Sequence, residues 1–530
     1  MARTLKISHE LSYPLFDIAA TRQIEARAQA DLPEHTLMQR AGLATARLTL
    51  ALAPHAQHIW IACGPGNNGG DGFETALQLS RLGKTVRLTW TELGKDTGDS
   101  ARQQPPDARL SRLRVLSAGL LISPEPPAIF DFAIDALLGI GGALSADRPG
   151  TWLMTQWLNR MHNSGAPVLC IDLPTGLNAD TGASSYQALT LPQALNGFDA
   201  PRPGARHTLS LLTLKPGLFT ADGRDAAGQV WLDDLSVATP ADLQPCAMLQ
   251  GANSANSANS ATGLARQQQA HASHKGSFGD VAVLGGAPSM AGAALLAARA
   301  ALHAGAGRVF VALLDNAADN VLSVDTAQPE LMFRRPAALD VTQQVLVCGC
   351  GGGQAVQAHL PVLLADATRA VFDADALNAM AADASLQALL TARQARAYAT
   401  VLTPHPLEAA RLLQCSTHHV QSDRRRAAQQ LADRFGCVVV LKGSGSVIAA
   451  PGQLALINHS GNALLASPGT GDVLAGMIGA MLAAGLPAWA AAAHAVFMHG
   501  RLADRWADIC AASGTPEALT ASALARCASA

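Results

Sequence analysis

The first half of the chain alternates between helical and strand-like hydrophobic spacing. Apolar positions from Phe16 to Leu52 recur as they would in two helices, and His58–Cys63 is apolar enough for a buried strand. The later segments that continue the alternation are the strands Thr85–Thr91, Phe130–Leu138 and Val168–Asp172 and the helices Gly72–Leu82 and Trp152–His162. This order predicts a parallel sheet covered by helices on both faces.

The second half repeats the pattern. An Ala-rich helix that ends at His303 follows its first strand. The predicted strands are Val281–Gly285, Arg308–Leu314, Val345–Val347, Ala370–Phe372, Thr400–Leu402 and Val438–Leu441. The uncharged run Val473–Ala493 is long enough to resemble a membrane span, but it is rich in Ala and Gly and is interrupted by Gly485-Leu486-Pro487. We therefore expect two buried helices joined by a turn, in a second doubly wound α/β domain.

The two halves are separated by a segment without hydrophobic periodicity. It consists of Asn-Ser-Ala triplets that end at Ala261, followed by Gln267-Gln268-Gln269. Such a composition is typical of a linker. The predicted domains are residues 1–240 and 271–530, with the linker at 241–270.

Composition narrows the class of protein. Charged residues make up 15% of the 530 residues and hydrophobic residues 49%, which excludes a disordered chain. A net charge of −2 gives no basic field for nucleic acid or an anionic membrane, so we expect small-molecule partners. The nine cysteines lack zinc spacing and are predicted to be free thiols. Because the N-terminus shows no secretory signal, a cytoplasmic location is expected.

A glycine-rich turn, Gly64–Gly72, lies between the first buried strand and the helix after it. Backbone N–H groups at such a helix start favour a phosphate. The turn satisfies Gly-x-Gly-x-x-Gly, and Glu92 lies near the end of the next strand, so a nicotinamide dehydrogenase is one candidate. A turn without a ligand is the alternative. The dehydrogenase interpretation leaves the Asn67-Asn68 pair and Asp71 unexplained.

Two further acidic segments follow strands of the first half. They begin at Asp135 and at Asp172, and the second continues into Pro174-Thr175-Gly176. Carboxylates at the carboxyl ends of parallel strands face the ligand crevice. Either aspartate alone is better explained as a cap of the next turn. Three such segments in one sheet make a binding site the better prediction.

Together these motifs resemble the epimerase domain of NAD(P)H-hydrate repair enzymes, the YjeF N-terminal family, and the string Asn67–Gly72 is its most specific feature. The resemblance implies that Asp172 is the acid/base and that K⁺ is bound by Asn68, Asp135 and Thr175, where Thr175 replaces the usual Ser. The residues implied to bind the hydrated nucleotide are Asn67, Asn68, Gly69, Gly70, Asp71, Gly139, Ile140, Gly141 and Gly142.

In the second half, Lys442–Ser446 follows a strand, and Gly469-Thr470-Gly471-Asp472 begins a long apolar helix. The sequence contains no Walker-type phosphate loop. The turn before the helix can still direct N–H groups at a transferring phosphoryl group, and Asp472 can take a proton from a hydroxyl. Taken alone, this string is better explained as an ordinary helix start with an acidic first turn.

This half resembles the ribokinase superfamily, and within it the ADP-dependent NAD(P)H-hydrate dehydratases. The matching segments begin at Lys275-Gly276 and include Asp373–Asn378, Thr403–Glu408, Lys442-Gly443 and Gly469–Asp472. The resemblance implies that Asp472 is catalytic. The residues implied to contact the adenine nucleotide are Lys442, Gly443, Ser444, Gly445, Ser446 and Gly471. The residues implied to contact the hydrated substrate are Gly292, Ala293, Gly351, Gly353 and His405.

Two residues of this half keep alternative interpretations. His405, between two prolines, is as well explained by a structural role as by ligand contact. Cys350 and Gly352 interrupt the family's usual Gly-Pro-Gly-Leu-Gly, which predicts a looser loop, and Cys350 is expected to be inert because no basic residue is near it in sequence.

The resemblance implies a repair function. The first half would interconvert the R and S forms of hydrated NADH or NADPH, and the second would dehydrate the S form with ADP, with K⁺ at the epimerase site and Mg²⁺ at the dehydratase site. We expect a homo-oligomer. The alternative is a small-molecule kinase of the ribokinase superfamily fused to a nucleotide-binding domain.

Overall fold

The computed structural model describes residues 4–92, 104–145, 147–148, 150–186, 204–252, 274–314 and 323–529. The chain divides into two compact units between Ala247 and Met248, and the short segment His9–Tyr13 belongs to the second unit. Both are mixed α/β units built on one sheet each. The predicted fold class, two doubly wound α/β domains, is confirmed.

The elements up to the boundary are as follows: β1 Leu5–Lys6, β2 Tyr13–Leu15, α1 Ile18–Asp31, α2 Thr36–Leu52, β3 His58–Cys63, α3 Asn67–Arg81, β4 Thr85–Trp90, α4 Pro106–Ser117, β5 Ile122–Ser123, β6 Phe132–Ala136, α5 Thr151–His162, β7 Val168–Ile171, β8 Arg206–Leu211, α6 Gly223–Ala227 and β9 Gln229–Asp233. The first sheet has the order β1-β9-β8-β7-β6-β3-β4-β5. Its pairs are parallel except for β1 with β9. The order reverses direction beside β3, so the loops after β3 and β6 open the crevice where ligands bind in such sheets.

The glycine-rich string lies differently from its prediction. Helix α3 begins at Asn67 rather than at Gly72, so most of the string forms its first turns. A Cβ on Gly69 would lie 2.1 Å from the Gly64 carbonyl oxygen, and one on Gly72 would lie 2.6 Å from the Ala136 Cβ. These glycines therefore allow the helix to pack closely on the sheet.

The elements after the boundary are as follows: β10 Ala247–Gln250, β11 Asp280–Gly285, α7 Ala291–His303, β12 Arg308–Leu313, β13 Met332–Phe333, β14 Val345–Cys348, α8 Leu360–Asp366, β15 Arg369–Phe372, α9 Ala374–Ala382, α10 Ala384–Ala395, β16 Ala399–Leu402, α11 Pro406–Leu413, α12 Thr417–Ser422, α13 Arg424–Phe435, β17 Val438–Leu441, β18 Val447–Ala449, β19 Leu456–Asn458, α14 Thr470–Ala483, α15 Ala488–Ser513 and α16 Ala521–Arg526. The second sheet follows the order β13-β12-β11-β14-β15-β16-β17-β18-β19-β10. It is parallel from β13 to β17, and β18 runs antiparallel to both neighbours.

The long uncharged run forms α14, a turn and the start of α15, as predicted. Most residues of α14 are buried in the core of the second unit. Within the described ranges, no helix combines the length and apolar character that a membrane crossing needs. Burial of α14 against the sheet fixes its N-terminal turn, which carries Asp472.

The predicted linker includes structured residues at its start. Strand β10, inside the predicted range 241–270, pairs with β19 of the second unit, while residues 253–273, with all three Asn-Ser-Ala triplets, lie outside the described residues. The difference arises because the apolar residues of β10 are too few to show a strand pattern beside the polar triplets.

Candidate active sites

A cleft of about 330 Å³ opens at the carboxyl ends of the strands in the first unit. Its walls come from α1, from the start of α3 and from the loops after β6, β7 and β8. The polar and glycine residues of the lining include Arg22, Glu25, Gly66, Asn67, Asn68, Asp71, Asp107, Gly139, Gly141, Gly142, Asp172 and Lys215. The cleft therefore combines several carboxyl groups with a few cations.

Asp172 follows β7 and lies in the cleft with an unusual backbone. Its φ of 66° lies in the left-handed region, which is energetically costly for non-glycine residues. Such backbone conformations are often found at functional sites. The Lys215 ammonium, itself fully buried, lies 2.5 Å from Asp172 Oδ1 and also donates to the Leu211 carbonyl oxygen at 2.7 Å. The backbone N–H of Leu211 donates to the same carboxylate oxygen. Asp172 is thus a fixed carboxylate with one exposed edge toward the cleft.

Asp135, at the end of β6, is tied to Thr175. The Thr175 hydroxyl donates to Asp135 Oδ1 at 2.8 Å, and the Thr175 N–H donates to Oδ2 at 3.0 Å. The same hydroxyl accepts from the Leu138 N–H at 2.9 Å. Burial raises the pKa of the Asp135 carboxyl, and these hydrogen bonds oppose the rise. The structure therefore joins the two strand ends that the sequence singled out separately.

Asn68 is buried at the edge of the cleft, yet neither its side-chain oxygen nor its nitrogen has a hydrogen-bond partner among the described residues. A Cβ placed on Gly139 would lie 3.4 Å from Asp172 Oδ2 and 3.5 Å from Asn68 Cγ. An unpaired buried amide is costly unless a ligand satisfies it. Asn68, Gly139 and Asp172 thus meet at one point that a bound ligand or ion would complete.

The acidic groups of the cleft hold protons more tightly than usual. Burial first, and the negative charge of Asp172 second, raise the pKa of Asp71 well above its usual range. The same two causes raise the pKa of Glu25. Carboxyl groups in such an environment are candidates for acid/base work.

Most of the residues predicted for the first site line this cleft. Asn67, Asn68, Asp71, Asp172 and the loop 139–142 do so. Gly69 and Gly70 do not belong to the lining, since the former packs on Gly64 and the latter on Met38 and Ala108. Asp135 and Thr175 lie behind the lining, next to Leu138.

The second unit has its own carboxylate centre. The ligand atoms of Cys350, Asp373 and Asp472 all lie within 4.8 Å of one another. Lys442 Nζ donates to Asp373 Oδ1 at 2.6 Å, and a Cβ on Gly471 would lie 3.3 Å from the same ammonium. Residues that follow β14, β15 and β17 therefore meet a residue of α14 at one point.

Asp472 in this centre has a strongly shifted pKa. Burial, and then the charge of Asp373, raise the pKa of Asp472 to about 7, while a hydrogen bond from the Cys350 thiol opposes the rise. His499 Nε2 donates to the Thr470 carbonyl oxygen at 2.9 Å and holds the turn that carries Asp472. Burial lowers the pKa of His499 to about 4, so this ring is neutral. A carboxyl with a pKa near 7 is suited to act as a base at neutral pH.

The glycine loop at 349–353 is held firmly, contrary to the prediction of a looser loop. Gly353 N–H donates to Asp375 Oδ2 at 2.9 Å, and the Cys350 carbonyl accepts from Gly286 N–H at 3.0 Å. Gly351 packs on Ala293, close to the start of α7, where Gly292 has open space around its Cα. Cys350 is fully buried, and burial raises its thiol pKa well above the usual value, in agreement with an inert thiol.

His405 has a structural role in this unit. Its Nδ1 accepts from the Leu407 N–H at 3.1 Å, and its backbone N–H donates to Glu408 Oε2 at 2.7 Å, which forms a capping box at the start of α11. Nearby, the loop after β17 turns at Gly443, whose φ of 135° requires glycine, and Ser446 Oγ donates to the Gly443 carbonyl oxygen. Ser444 and Gly445 lie in the same turn.

Comparison with known proteins decides between the candidate families. Residues 34–217 match the family profile described as the N-terminus of YjeF-related proteins, and residues 281–524 match the profile described as NAD(P)H-hydrate dehydratase. The bifunctional NAD(P)H-hydrate repair enzyme of Escherichia coli is 36% identical over 493 residues, which covers 91% of this chain and 87% of that protein. The chain belongs to the family of bifunctional NAD(P)H-hydrate repair enzymes. The resemblance predicted from the motifs is confirmed.

Other relatives agree with this family. The bifunctional repair enzyme of Coxiella burnetii is 31% identical over 93% of this chain and 95% of its own length. An ADP-dependent (S)-NAD(P)H-hydrate dehydratase of Neisseria meningitidis is 41% identical over 44% of this chain and 80% of its own length. A solved ADP/ATP-dependent NAD(P)H-hydrate dehydratase of Bacillus subtilis, crystallised with ATP and Mg²⁺, is 29% identical over 48% of this chain and 90% of that chain, with a TM-score of 0.40.

Three residues at these sites were not singled out as site residues from the sequence. Asp373 lies in a segment that carried the family resemblance, and Lys215 is one of six lysines in the chain, a scarcity that could have drawn attention to it. Glu25 had no signal at all, because it lies on a helix far from any motif.

Proposed function

We propose that the chain repairs hydrated nicotinamide cofactors in two steps. The first unit interconverts the R and S forms of hydrated NADH and NADPH, and the second dehydrates the S form with ADP and releases AMP and phosphate. One observation carries the proposal: each unit has its own carboxylate centre, and each centre lies in a different half of the family match.

In the first unit, Asp172 is the proposed acid/base. The start of α3, with Asn67, Asn68 and Asp71, and the loop 139–142 would hold the hydrated nucleotide, because both line the cleft beside Asp172. Gly69 and Gly70 would act indirectly by letting α3 approach the sheet. The fixed orientation of Asp172 by Lys215 suits a base that must meet one ring position of the substrate.

The donor set next to this cleft fits K⁺. Asn68 supplies an unpaired amide oxygen, Asp135 a carboxylate and Thr175 a hydroxyl, all of them oxygen ligands beside the segment 137–139. Asn68, Asp135 and Thr175 would hold the ion, which supplies positive charge near the bound nucleotide. Thr in place of Ser keeps a hydroxyl at this position, and that hydroxyl already contacts Asp135.

In the second unit, Asp472 is the proposed base. It would take the proton of the substrate hydroxyl as that oxygen attacks the β-phosphorus of ADP, whose bond to the bridging oxygen breaks to release AMP. The phosphate then leaves with the C–O electron pair, and loss of a proton from the neighbouring carbon restores the ring double bond. Hydroxide is a poor leaving group, so this phosphorylation makes the elimination feasible.

The surrounding residues fit a nucleotide and a substrate. Lys442 and the backbone of Gly471 adjoin Asp373, and the turn Gly443–Ser446 follows directly, so these residues would hold the ADP. Mg²⁺ binds through one or two carboxylates together with phosphates, and buried Asp373 is the carboxylate that fits it. Mg²⁺ would offset the charge of the ADP phosphates. Gly292, Ala293, Gly351, Gly353 and His405 remain predicted substrate contacts.

The function is tested with purified protein, chemically hydrated NADH and ADP. We expect absorbance at 340 nm to return, and phosphorus NMR to show AMP and inorganic phosphate. A persistent phosphoester without regained NADH would favour the kinase alternative, and oxidation of an added substrate by NAD would favour a dehydrogenase. Light scattering checks the predicted homo-oligomer, and the cytoplasmic location stays a prediction that fluorescence microscopy of the tagged protein would check.

A further inference from the structure

Helix α1 turns a polar face toward the cleft of the first unit. Arg22 and Glu25 are one turn or less apart on it and both line the cleft, together with Thr21. This helix lies before residue 34, where the match to the family profile begins. The cleft is therefore completed by a segment that the family profile does not cover.

Glu25 differs from Asp172 although the two share the cleft. The Asp172 carboxylate forms an ion pair with Lys215, whereas among the described residues the Glu25 carboxyl forms neither a hydrogen bond nor an ion pair with another side chain. Burial first, and then the charge of Asp172, raise the pKa of Glu25. The charged groups that act on Glu25 are Asp172, Lys215, Arg22 and Asp107.

A pair of carboxyl groups in unlike environments can divide acid and base roles between them. The ion pair with Lys215 suits Asp172 to receive a proton. The desolvated Glu25, without a cation in direct contact, suits the opposite role. Both groups face the volume in which the hydrated ring would bind.

We propose that Glu25 is a second catalytic residue of the epimerase site, a general acid that works together with Asp172. This inference rests on the proposed epimerase function. It adds a residue to the reaction that neither the motifs nor the family match provided.

The chemistry of the hydrated substrate requires one group that donates a proton and one that accepts a proton. Water adds to the enamine double bond of a dihydronicotinamide so that the hydroxyl lies on the carbon next to the ring nitrogen. Glu25 gives its proton to this hydroxyl, the C–O bond breaks with its electron pair on the departing water, and the nitrogen lone pair forms a C=N bond. A water molecule then adds to the opposite face and gives a proton to Asp172. Proton exchange with solvent returns both groups to their starting states.

The test compares Glu25→Gln with Asp31→Asn. The amide of Gln has nearly the same shape as the carboxyl but cannot donate the proton in this way, while Asp31 is an exposed carboxylate at the end of the same helix. We expect Glu25→Gln to lower kcat/KM for epimer exchange about 10²-fold, mainly through kcat, as is typical of a lost general acid. Asp31→Asn should keep the wild-type rate. Epimer exchange is followed by chromatography of the R and S forms.

The pH profile separates catalysis from a merely structural effect. Wild-type exchange should fall at high pH as Glu25 loses its proton, and Glu25→Gln should lose this basic limb. Dehydration of the pure S form by the same chain reports only that the second unit is intact, so circular dichroism of the first unit's melting transition reports whether the unit that carries Glu25 is folded. If Glu25→Gln does not fold, the same assay is applied to Glu25→Asp. This variant keeps a carboxylic acid and should retain the basic limb of the pH profile.

The outcomes are distinguishable. Wild-type protein without epimer exchange would overturn the proposed function. Wild-type exchange combined with an unchanged rate and profile in folded Glu25→Gln would overturn only the role of Glu25, as would a Glu25→Asp profile without a basic limb.

Discussion

The proposed catalytic carboxylates of the two units have different neighbours. In the first, a fully buried lysine contacts Asp172 directly, with 2.5 Å between Lys215 Nζ and Asp172 Oδ1. In the second, Lys442 contacts Asp373 at 2.6 Å rather than Asp472, and the Cys350 thiol donates to Asp472. Burial and the charge of Asp373 then raise the pKa of Asp472 to about 7.

This difference shows how one architecture supports two proton chemistries. Both carboxylates lie at strand ends or helix starts of a doubly wound unit, where such sheets place their ligands. The surroundings of the two carboxylates differ. Asp172 pairs directly with Lys215, whereas burial first and the charge of Asp373 second raise the pKa of Asp472, which holds its proton until the pH approaches neutrality.

The largest expected effect comes from Asp472→Asn. The amide cannot accept the proton of the substrate hydroxyl, so we expect the ADP-dependent recovery of 340 nm absorbance to fall about 10³-fold or more. Nucleotide affinity should change little, since Lys442 and backbone N–H groups are the proposed phosphate contacts. Epimer exchange by the same protein serves as the control. Dehydration at near the wild-type rate would contradict the role of Asp472.

Asp172→Asn should act on the other activity alone. The change is nearly isosteric but removes the ion pair with Lys215, and we expect epimer exchange to fall about 10²-fold. Dehydration of pure S substrate should continue at the wild-type rate, because Asp172 belongs to the first unit. Chromatography of the R and S forms measures the exchange, and normal exchange would remove Asp172 from the mechanism.

The sequence was sufficient to predict the sheets and the segments that follow their strands. Hydrophobic runs such as His58–Cys63 and Val438–Leu441 are buried throughout or nearly so, and such runs are recognisable without tertiary information. The predicted start of α3 at Gly72 was wrong because glycine usually marks a turn. Here Gly69 and Gly72 serve close helix packing, which depends on partners in β3 and β6 that local sequence does not reveal.

The sites were predictable where one motif carries the chemistry, and less so where distant residues meet. Asp172 and Asp472 were expected from the family resemblance of their segments, not from either string alone. The ion pair of Asp172 with Lys215, the contact of Cys350 with Asp472 and the approach of Glu25 depend on long-range packing. No local spacing encodes these three contacts.

A pH comparison of the two activities measures the difference between the carboxylates. Asp472 must be ionised to act as a base, and its pKa is raised to about 7, so the dehydration rate should rise with pH and level off above this value. Below it, the rate should fall about tenfold for each pH unit. Rates of S-form dehydration from pH 5 to 9, with saturating ADP, provide the measurement. A rate that is constant from pH 5 to 7 would contradict a base whose pKa is raised to about 7.

The smallest expected effect concerns the thiol beside Asp472. The Cys350 thiol donates a hydrogen bond that favours the ionised form of Asp472, so Cys350→Ala should raise the pKa of Asp472 and shift the acidic limb of dehydration upward. A hydrogen bond contributes about 0.5–1.5 kcal/mol, and one pKa unit corresponds to about 1.4 kcal/mol, so the shift should be about one pH unit at most. Cys350→Ser keeps a donor and should leave the limb in place, which separates the hydrogen bond from the loss of volume in this fully buried position. If alanine and serine shift the limb equally, the packing around Asp472 rather than the Cys350 donor sets its pKa.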